Sequence, residues 1–502
     1  MRGSTIMNIP ALCNTFGILA VSAVWLIATT GPCFGAEPDG SSPEGWHQFR
    51  GPFQNGSGID CGSPLIDDIT QAKLVLKNDE VIWCADNVQN GFASPILAKG
   101  TLYLSYYRGD GEVVPEERYK IEHPKMDAEQ VGRANSIGAE DCLIAVDAAT
   151  GKTRWVKRFP GSINLNSASQ KVGGHFQSCY GNGKVFFYGP SARVHCVDAV
   201  SGERLWTGDL GPLHQKLAAE LTSLLEQKES RKRIGRGSFH FAPIHAADVF
   251  VCGDGHGGLL AFDEDTGSLR WTLAHSTPGK KAADRGDYGN PIRWRNEGKD
   301  YIIALGSATV LLEAATGKQM WKSASKEGPR SRGGTSALAG DLLVTNNPSS
   351  CWRLTTKGLE KKWECPLLNY QHSSVLVYHD HVWLFSYDPE KRGSARRLSC
   401  VDLMTGKTLD SQVTLRTKSN GSAIAADGKI FYSHPGVPGK RPAKFDTAGA
   451  YGWGAYLAKP GHQKVLGHKF QGIANSVSPV IHRGYLYLRL TSGLACYDLR
   501  AR

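Results

Sequence analysis

A short hairpin signature recurs along the chain at intervals that a single irregular core would not produce. In its fullest form, a small and an apolar residue precede an aspartate, a glycine follows four positions later, and a tryptophan follows four positions after the glycine. The three clearest copies contain Asp147, Gly151 and Trp155; Asp198, Gly202 and Trp206; and Asp263, Gly267 and Trp271. Five weaker copies, which bring the total to eight, contain Gly317 and Trp321, Gly358 and Trp363, Gly406, Gly461, and Asp498.

Each copy predicts a β-hairpin. Alternating apolar residues flank a turn in which the aspartate accepts hydrogen bonds from backbone N–H groups and the glycine adopts a positive φ. The copies are spaced by about 40 to 65 residues, a range typical of propeller blades or long solenoid repeats. A second pair of strands precedes each hairpin, so each unit is expected to hold four strands. These preceding segments begin near Ala93, Gln177, Ala242, Asn290, Thr335, Ser373, Ser422 and Ser478.

Units of this kind bury their faces against their neighbours, and a closed ring removes the two end surfaces that a solenoid must cap. The last hairpin stops at Asp498 without an outer strand, whereas residues 80–84, with Trp83, look like an outer strand without a hairpin. We predict that these two fragments pair and leave no open sheet edge. The expected fold is all-β: an eight-bladed β-propeller of four-stranded antiparallel blades, closed by an N-terminal strand, with one inserted helix.

The hairpin signature resembles the repeat of the quinoprotein-type (PQQ-like) β-propeller family, in which a small residue and Asp precede Thr-Gly-Lys and then Trp. Residues 147–155 match that repeat nearly throughout, the likeness covers residues 81–500, and residues 46–52 are similar to the start of many bacterial envelope proteins with such repeats. The resemblance implies one of two functions. Some members are quinone-dependent alcohol or sugar dehydrogenases, and others are non-catalytic, such as sensor domains and the outer-membrane β-barrel assembly scaffold, to which this chain is closest in character.

The N-terminal region predicts export. Residues 1–36 have the layout of a signal peptide, because Arg2 precedes an apolar stretch and small residues end at Ala36. We expect a periplasmic or secreted protein with no transmembrane span after cleavage, although retention as an N-terminal anchor stays open. Residues 37–78 form an N-terminal extension, and residues 79–502 form the propeller, with insertions at 108–140 and 211–233. Leucines in the second insertion fall on one face of a helix at 213–229, either packed on the propeller or docking a partner.

Cysteine usage and charge exclude several classes of function. Ten of the 12 cysteines remain after cleavage, but there is no CxxC pair, which argues against zinc, iron–sulfur or thioredoxin-like chemistry. Cys196, Cys400 and Cys496 stand where other copies have alanine and are expected to be small buried residues, while Cys351 and Cys365 lie on one hairpin and could approach each other. The net charge of +11 suits acidic polymers or anionic membrane surfaces, but its even spread and export argue against nucleic acid.

Polar residues stand just before the first strand of several blades. In a propeller this position lies at the mouth of the central channel, where converging polar groups recognise small ligands. The alternative, that these side chains bind water and cap strand ends, stays open. The candidate ligand-binding residues are His175, His240, Asn290, Arg332, His372 and Asn475, and Asn90 and Asn420 occupy the same position in two further blades.

A quinone dehydrogenase needs a sandwiched cofactor, a divalent cation held by carboxylate and amide oxygens, and a carboxylate base. In the resembling enzymes, adjacent cysteines often cover the quinone, but this sequence has no Cys–Cys pair and no CxxCH haem motif. It also lacks GxSxG, HExxH and a phosphate-binding loop. We therefore predict a monomeric, non-catalytic exported scaffold that binds an envelope protein or polysaccharide, without catalytic residues, metal or cofactor. The alternative is an alcohol or sugar dehydrogenase that uses PQQ with calcium.

Overall fold

The computed structural model describes residues 45–79, 93–108, 135–165, 177–189, 193–210, 215, 242–254, 258–274, 290–306, 308–323, 328–329, 335–346, 348–367, 374–387, 396–414, 422–435, 451–470, 477–490 and 493–501. The chain divides into two compact units. The described residues all belong to the unit Phe34–Arg502, and the unit Met1–Cys33 lies outside the described ranges.

The described residues form eight antiparallel sheets. The N-terminal segment supplies β1 (Gly45–Trp46), the 3₁₀ helix η1 (Ile69–Gln71) and β2 (Lys73–Asn78). Blade 1 contains β3 (Ile96–Ala98), β4 (Thr101–Arg108), β5 (Asn135–Asp147) and β6 (Thr153–Leu165), and blade 2 contains β7 (Ser178–Gly181), β8 (Lys184–Tyr188), β9 (Arg193–Asp198) and β10 (Arg204–Asp209). Blade 3 contains β11 (Ile244–Ala246), β12 (Val249–Gly253), β13 (Leu259–Asp263) and β14 (Leu269–Leu273), and blade 4 contains β15 (Ile292–Asn296), β16 (Lys299–Leu305), β17 (Thr309–Glu313) and β18 (Gln319–Lys322).

Blades 5 to 8 repeat the same arrangement, and the last blade lacks a fourth strand of its own. Blade 5 contains β19 (Ala337–Ala339), β20 (Leu342–Asn346), β21 (Ser349–Thr355) and β22 (Gly358–Cys365), and blade 6 contains β23 (Leu376–Tyr378), β24 (His381–Tyr387), β25 (Arg396–Asp402) and β26 (Thr408–Thr414). Blade 7 contains β27 (Ile424–Ala426), β28 (Lys429–Pro435), β29 (Tyr451–Leu457) and β30 (Val465–Phe470), and blade 8 contains β31 (Val480–His482), β32 (Tyr485–Arg489) and β33 (Leu494–Asp498).

The first strands form an inner ring, because around most of the ring the first strands of successive blades contact one another. The hydrophobic core lies between neighbouring blades. Ile96 and Tyr103 of blade 1, for example, pack with Val185 and Phe187 of blade 2. Each sheet therefore buries both of its faces, as a ring of blades requires, and the predicted eight-bladed propeller is confirmed.

An N-terminal strand closes the ring as predicted, but it is not the predicted strand. β2 pairs with β33, and Leu76 lies opposite Cys496. The assignment of residues 80–84 to this place is wrong, because β2 occupies one side of β33 and β32 occupies the other. Trp83 lies outside the described residues. Leu76 instead holds the tryptophan position, since a Cβ on Gly151 of blade 1 would meet its side chain.

The hairpin turns have the predicted chemistry. In the third blade, Asp263 Oδ1 accepts from the Asp265 N–H at 3.0 Å, and from the Thr266 N–H at 2.7 Å and hydroxyl at 2.9 Å. Gly267 follows with φ +70°, a left-handed conformation that side chains disfavour. The turns at Asp147, Asp198 and Asp402 have the same bonds.

The repeat tryptophans join five of the blades to the blade that follows. Trp206 Nε1 donates to the Glu264 carbonyl at 3.0 Å, and a Cβ on Gly267 would lie 2.5 Å from the indole of Trp206. Trp155, Trp271, Trp321 and Trp363 donate in the same way to carbonyls at the outer hairpin of the following blade. The repeated glycine therefore serves two purposes: it allows the turn, and in four blades it leaves room for the tryptophan of the preceding blade.

The insertions fall mostly outside the described ranges, including nearly all of the predicted helix at 213–229, while residues 135–140 of the first insertion continue β5. Within the ranges that are described, no helix has the length and apolar character needed to cross a membrane. Cys196, Cys400 and Cys496 are buried as predicted. Cys351 and Cys365 are free thiols, and the strand register places Trp363 and Ser349 opposite them.

Candidate functional site

Residues 45–60, termed the channel segment below, run through the centre of the ring. β1 pairs with the inner strand β3, and the Tyr180 N–H of blade 2 donates to the His47 carbonyl at 2.8 Å. Further along, the Val377 N–H of blade 6 donates to the Asn55 carbonyl at 3.0 Å, and the segment exchanges two bonds with Ala425 of blade 7. Because these partners belong to inner strands on different sides of the ring, the channel segment occupies the central channel.

A buried arginine fastens this segment. The Arg50 guanidinium donates to the Ala423 carbonyl at 2.7 Å, to the Asn55 carbonyl at 2.9 Å, and to the Val375 carbonyl. Its hydrogen bonds within the described residues go to backbone carbonyls rather than carboxylates, and burial lowers the pKa of the guanidinium to about 9. Arg50 thus ties the channel segment to blades 6 and 7 through backbone groups that the inner strands hold in place.

A collar of hydrogen bonds surrounds the channel where the inner strands begin. In several blades, the backbone N–H of one blade donates to a side chain of the next, for example Ser94 to Gln177 at 2.9 Å and Ser478 to Ser94 at 2.9 Å. The series is interrupted between blades 2 and 3, because Ala242 has no side-chain acceptor. Among the described residues, no bond of this kind joins Gln177 to Ala242. The collar consists of Ser94, Gln177, Ala242, Asn290, Thr335, Ser374, Ser422 and Ser478.

Asn290 is the one predicted mouth residue within the described ranges. Its Oδ1 accepts from the Ala242 N–H at 2.6 Å, and its Nδ2 donates to Thr335 Oγ1 at 2.6 Å. It is buried and belongs to the collar, so its amide links three blades. The remaining candidates lie outside the described residues and stay predictions: His175, His240, Arg332, His372 and Asn475. The collar itself was missed, although small polar residues at the strand starts were its signal.

The opposite end of the channel, where the turns between first and second strands lie, carries a pocket of about 780 Å³. The turns of blades 1 to 4 surround it, and His47, Gln48 and Pro52 of the channel segment contribute to its lining. Its volume lies in the range typical of small-ligand sites. Its charged lining residues are Lys99, Arg293, Arg295, Lys299, Asp300 and Glu313.

Arg293 is held from two directions. Its Nε donates to Asp300 Oδ1 at 2.9 Å, and Asp300 Oδ2 accepts from the Ala247 N–H at 2.7 Å. Its backbone is clamped by Gln54 of the channel segment, which accepts from the Arg293 N–H at 2.9 Å and donates to its carbonyl at 2.8 Å. The channel segment therefore positions a residue of the pocket directly.

A second network stands beside the pocket. Glu264 accepts from His245 Nε2 at 2.6 Å, from Asn182 Nδ2 at 3.1 Å and from Lys184 Nζ at 3.3 Å. The hydrogen bond from His245, with those from Asn182 and Lys184, lowers the pKa of the Glu264 carboxyl to about 2 despite partial burial. The carboxylate is fully occupied by donors of blades 2 and 3, so it stabilises the contact between these blades.

The described residues do not fit a calcium-bound quinone. Such a cation needs several carboxylate and amide oxygens, but among the described residues no three His, Cys, Asp or Glu side chains come together as metal ligands. At the collar, the Asn290 amide is committed to two protein partners. We therefore derive no reaction step through this cofactor.

The chain matches a family model over more than half of its length. The model described as outer membrane protein assembly factor BamB matches residues 139–412 of the 502. A curated protein from Komagataeibacter europaeus, named alcohol dehydrogenase (quinone), dehydrogenase subunit, is 29% identical over 133 residues. That match covers 25% of this chain and 16% of the relative, so the chain spans only a small part of the relative's length.

Two solved structures share the fold. The quinohemoprotein alcohol dehydrogenase from Comamonas testosteroni has a TM-score of 0.53 at 12% identity, and the match covers 91% of this chain and 81% of that one. The quinohemoprotein alcohol dehydrogenase ADHIIG from Pseudomonas putida HK5 has a TM-score of 0.50 at 12% identity, with coverage of 92% and 81%. At this level of identity the likeness concerns the fold alone.

Proposed function

The chain belongs to the family described as outer membrane protein assembly factor BamB, and from that premise we propose that it is an exported, non-catalytic scaffold that docks a protein partner in the cell envelope. The signal-peptide layout of residues 1–36 supports export. The family description supports an envelope location and a protein partner. The alternative partner is an envelope polysaccharide.

The channel segment is the observation that carries the proposal. It bonds to inner strands of blades 1, 2, 6 and 7 and, through Gln54, to Arg293 of blade 4. A ring filled by its own chain presents a preorganised surface, and a preorganised surface loses little conformational entropy on binding. Binding is then expected on the faces of the ring rather than along its axis.

Capture from intact cells tests the scaffold. The tagged chain, cross-linked in the envelope before extraction, should retain one protein in a constant ratio, and the purified pair should re-form in a single size-exclusion peak. A chain that elutes alone after cross-linking, or that retains only polysaccharide, would contradict a protein-docking role. Mass analysis of the exported chain checks the cleavage near Ala36.

A quinone-dependent dehydrogenase is the second candidate, because the curated relative is named a subunit of alcohol dehydrogenase (quinone) and both structural neighbours are named quinohemoprotein alcohol dehydrogenases. The purified chain should be mixed with pyrroloquinoline quinone and calcium and assayed for dye reduction with alcohols and sugars. No turnover above a sample without the quinone is the expected result. Substrate-dependent turnover that requires both additions would replace the scaffold with the enzyme.

A further inference from the structure

We infer that the pocket at blades 1 to 4 binds carboxylates of an acidic peptide segment. In this inference the Arg293 guanidinium binds one carboxylate through two hydrogen bonds, and Lys99 and Lys299 are flanking cations. The inference rests on the proposed function, because it names the chemistry by which the scaffold holds its partner. It differs from the predicted mouth site, which lies where the inner strands begin, at the other end of the channel.

The two carboxylates of the pocket already accept hydrogen bonds from this chain. Asp300 accepts from Arg293 at 2.9 Å and from the Ala247 N–H at 2.7 Å. Glu313 Oε2 accepts from Thr316 Oγ1 at 2.6 Å. Asp300 is therefore occupied on both oxygens and Glu313 on one, and the two acidic groups are outnumbered by the four Lys and Arg side chains of the lining.

Three of the four cations of the pocket have capacity left for a ligand: Lys99, Lys299 and Arg293. Lys99 and Lys299 form no ion pair with any residue in the described ranges, and both are exposed, Lys99 in the turn after β3 and Lys299 at the start of β16. Arg293 donates to Asp300 through Nε, while Nη1 and Nη2 make no hydrogen bond to the described residues. A guanidinium with both terminal nitrogens available is suited to bidentate binding of a carboxylate. The charge available to a ligand is therefore positive.

The Arg293 side chain is preorganised for that contact. Asp300 orients the guanidinium from one side, and the paired bonds with Gln54 fix the backbone. The Arg293 side chain is 23% exposed, so its head reaches the pocket while most of its length is covered. Less rotamer freedom is lost when such a residue binds, which favours affinity.

The size and spacing of the charges favour a peptide over a single ion. Lys99 lies on the turn of blade 1 and Lys299 directly after the turn of blade 4, with the turns of blades 2 and 3 between them. A pocket of about 780 Å³ holds several residues rather than one anion. Sugars are commonly bound against an open aromatic face, whereas the Tyr180 ring of this pocket is buried and packs at 5.0 Å from the His47 ring.

Binding of a defined probe tests the inference. A fluorescein-labelled hexaglutamate peptide should bind the full purified chain in an anisotropy titration, and affinity should fall with added salt because charges are screened. Arg293→Ala should weaken binding by about tenfold or more. Arg293→Lys should weaken it nearly as much, because lysine keeps the charge but cannot form two parallel hydrogen bonds to a carboxylate. Lys99→Glu with Lys299→Glu should weaken it further.

Matched variants separate the pocket from general charge. Lys357→Glu with Lys407→Glu makes the same change in net charge on exposed turns of blades 5 and 6, away from the pocket. Its affinity should stay within about twofold of wild type, since screened charges far from the ligand contribute little. Unfolding midpoints equal to wild type show that each variant is folded. Wild-type affinity in Arg293→Ala, or equal losses in both double variants, would overturn the inference.

Three further outcomes bear on this inference, and the last two distinguish it from the proposed function. Oligogalacturonate that binds through Arg293 while hexaglutamate does not would overturn the peptide as ligand. An envelope partner that Arg293→Ala captures as well as wild type would overturn the pocket and leave the scaffold intact. Hexaglutamate binding that depends on Arg293, in a chain that captures no envelope protein, would support the pocket and contradict the scaffold.

Discussion

Replacing Gly56 by alanine tests how tightly the channel segment is packed. Gly56 has φ +88°, and a Cβ there would lie 2.5 Å from Nη2 and 2.7 Å from Cζ of Arg50. The guanidinium cannot move aside, because it donates to the Ala423 and Val375 carbonyls. The positive φ costs about 1–2 kcal/mol for a non-glycine residue, and the overpacking adds about 1–3 kcal/mol. Gly56→Ala should therefore destabilise the chain by about 2–5 kcal/mol.

Gly183→Ala is the matched control. Gly183 has φ +78°, but a Cβ there would meet nothing within 4 Å, so only the backbone cost of about 1–2 kcal/mol applies. Urea unfolding followed by tryptophan fluorescence should show that Gly56→Ala loses about 1–3 kcal/mol more than the control. Equal losses in the two variants would refute the reasoning, because they would mean that Arg50 does not lie against Gly56.

Three other variants test the contacts between blades. Trp206→Phe removes the bond to the Glu264 carbonyl and part of the packing, so urea unfolding should show a loss of about 2–4 kcal/mol. Ser374→Ala removes the acceptor of the Thr335 N–H and should cost about 1–3 kcal/mol in the same assay. Hydrogen bonding, chiefly by His245, lowers the pKa of Glu264 to about 2, so the ionised carboxylate stabilises the fold above the ordinary glutamate pKa, and this stabilisation is lost as the pH falls toward 2. Glu264→Gln should therefore be less stable than wild type at pH 7, and the difference in unfolding free energy should shrink as the pH is lowered toward 2.

The blades were predictable because their information is local. An aspartate, a glycine and a tryptophan within nine residues specify the turn, the left-handed conformation and the contact with the neighbouring blade. Eight copies of that pattern indicate a repeat fold, and a closed ring removes the end surfaces that a solenoid must cap. The same local evidence misplaced the closing strand: residues 73–78 and 80–84 each contain a short apolar run, and Trp83 favoured the later one. Leu76 fills the tryptophan position by shape alone, which the sequence pattern does not reveal.

The channel segment was not predictable from pattern. Residues 46–52 stood out only as a resemblance, and the bonds of Arg50 reach residues more than 300 positions away. The pocket was missed for a similar reason. Lys99 and Lys299 sit on short turns that carry no repeated residue, and Arg293 gains its role from Gln54 and Asp300, one of which belongs to the channel segment. Of the predicted mouth residues, only Asn290 has a described partner set.

A disulfide between β2 and β33 tests most directly whether the N-terminal segment completes the ring. Leu76 lies opposite Cys496, and opposed residues of antiparallel strands are about 4.5–5.5 Å apart at Cα, within the range that a disulfide spans. Leu76→Cys should form a disulfide with native Cys496 on mild oxidation, identified by peptide mapping. Val75→Cys, at the exposed bulge next to it, should not. A Leu76→Cys chain whose Cys496 stays a free thiol would contradict closure by β2, and with it the path of the channel segment.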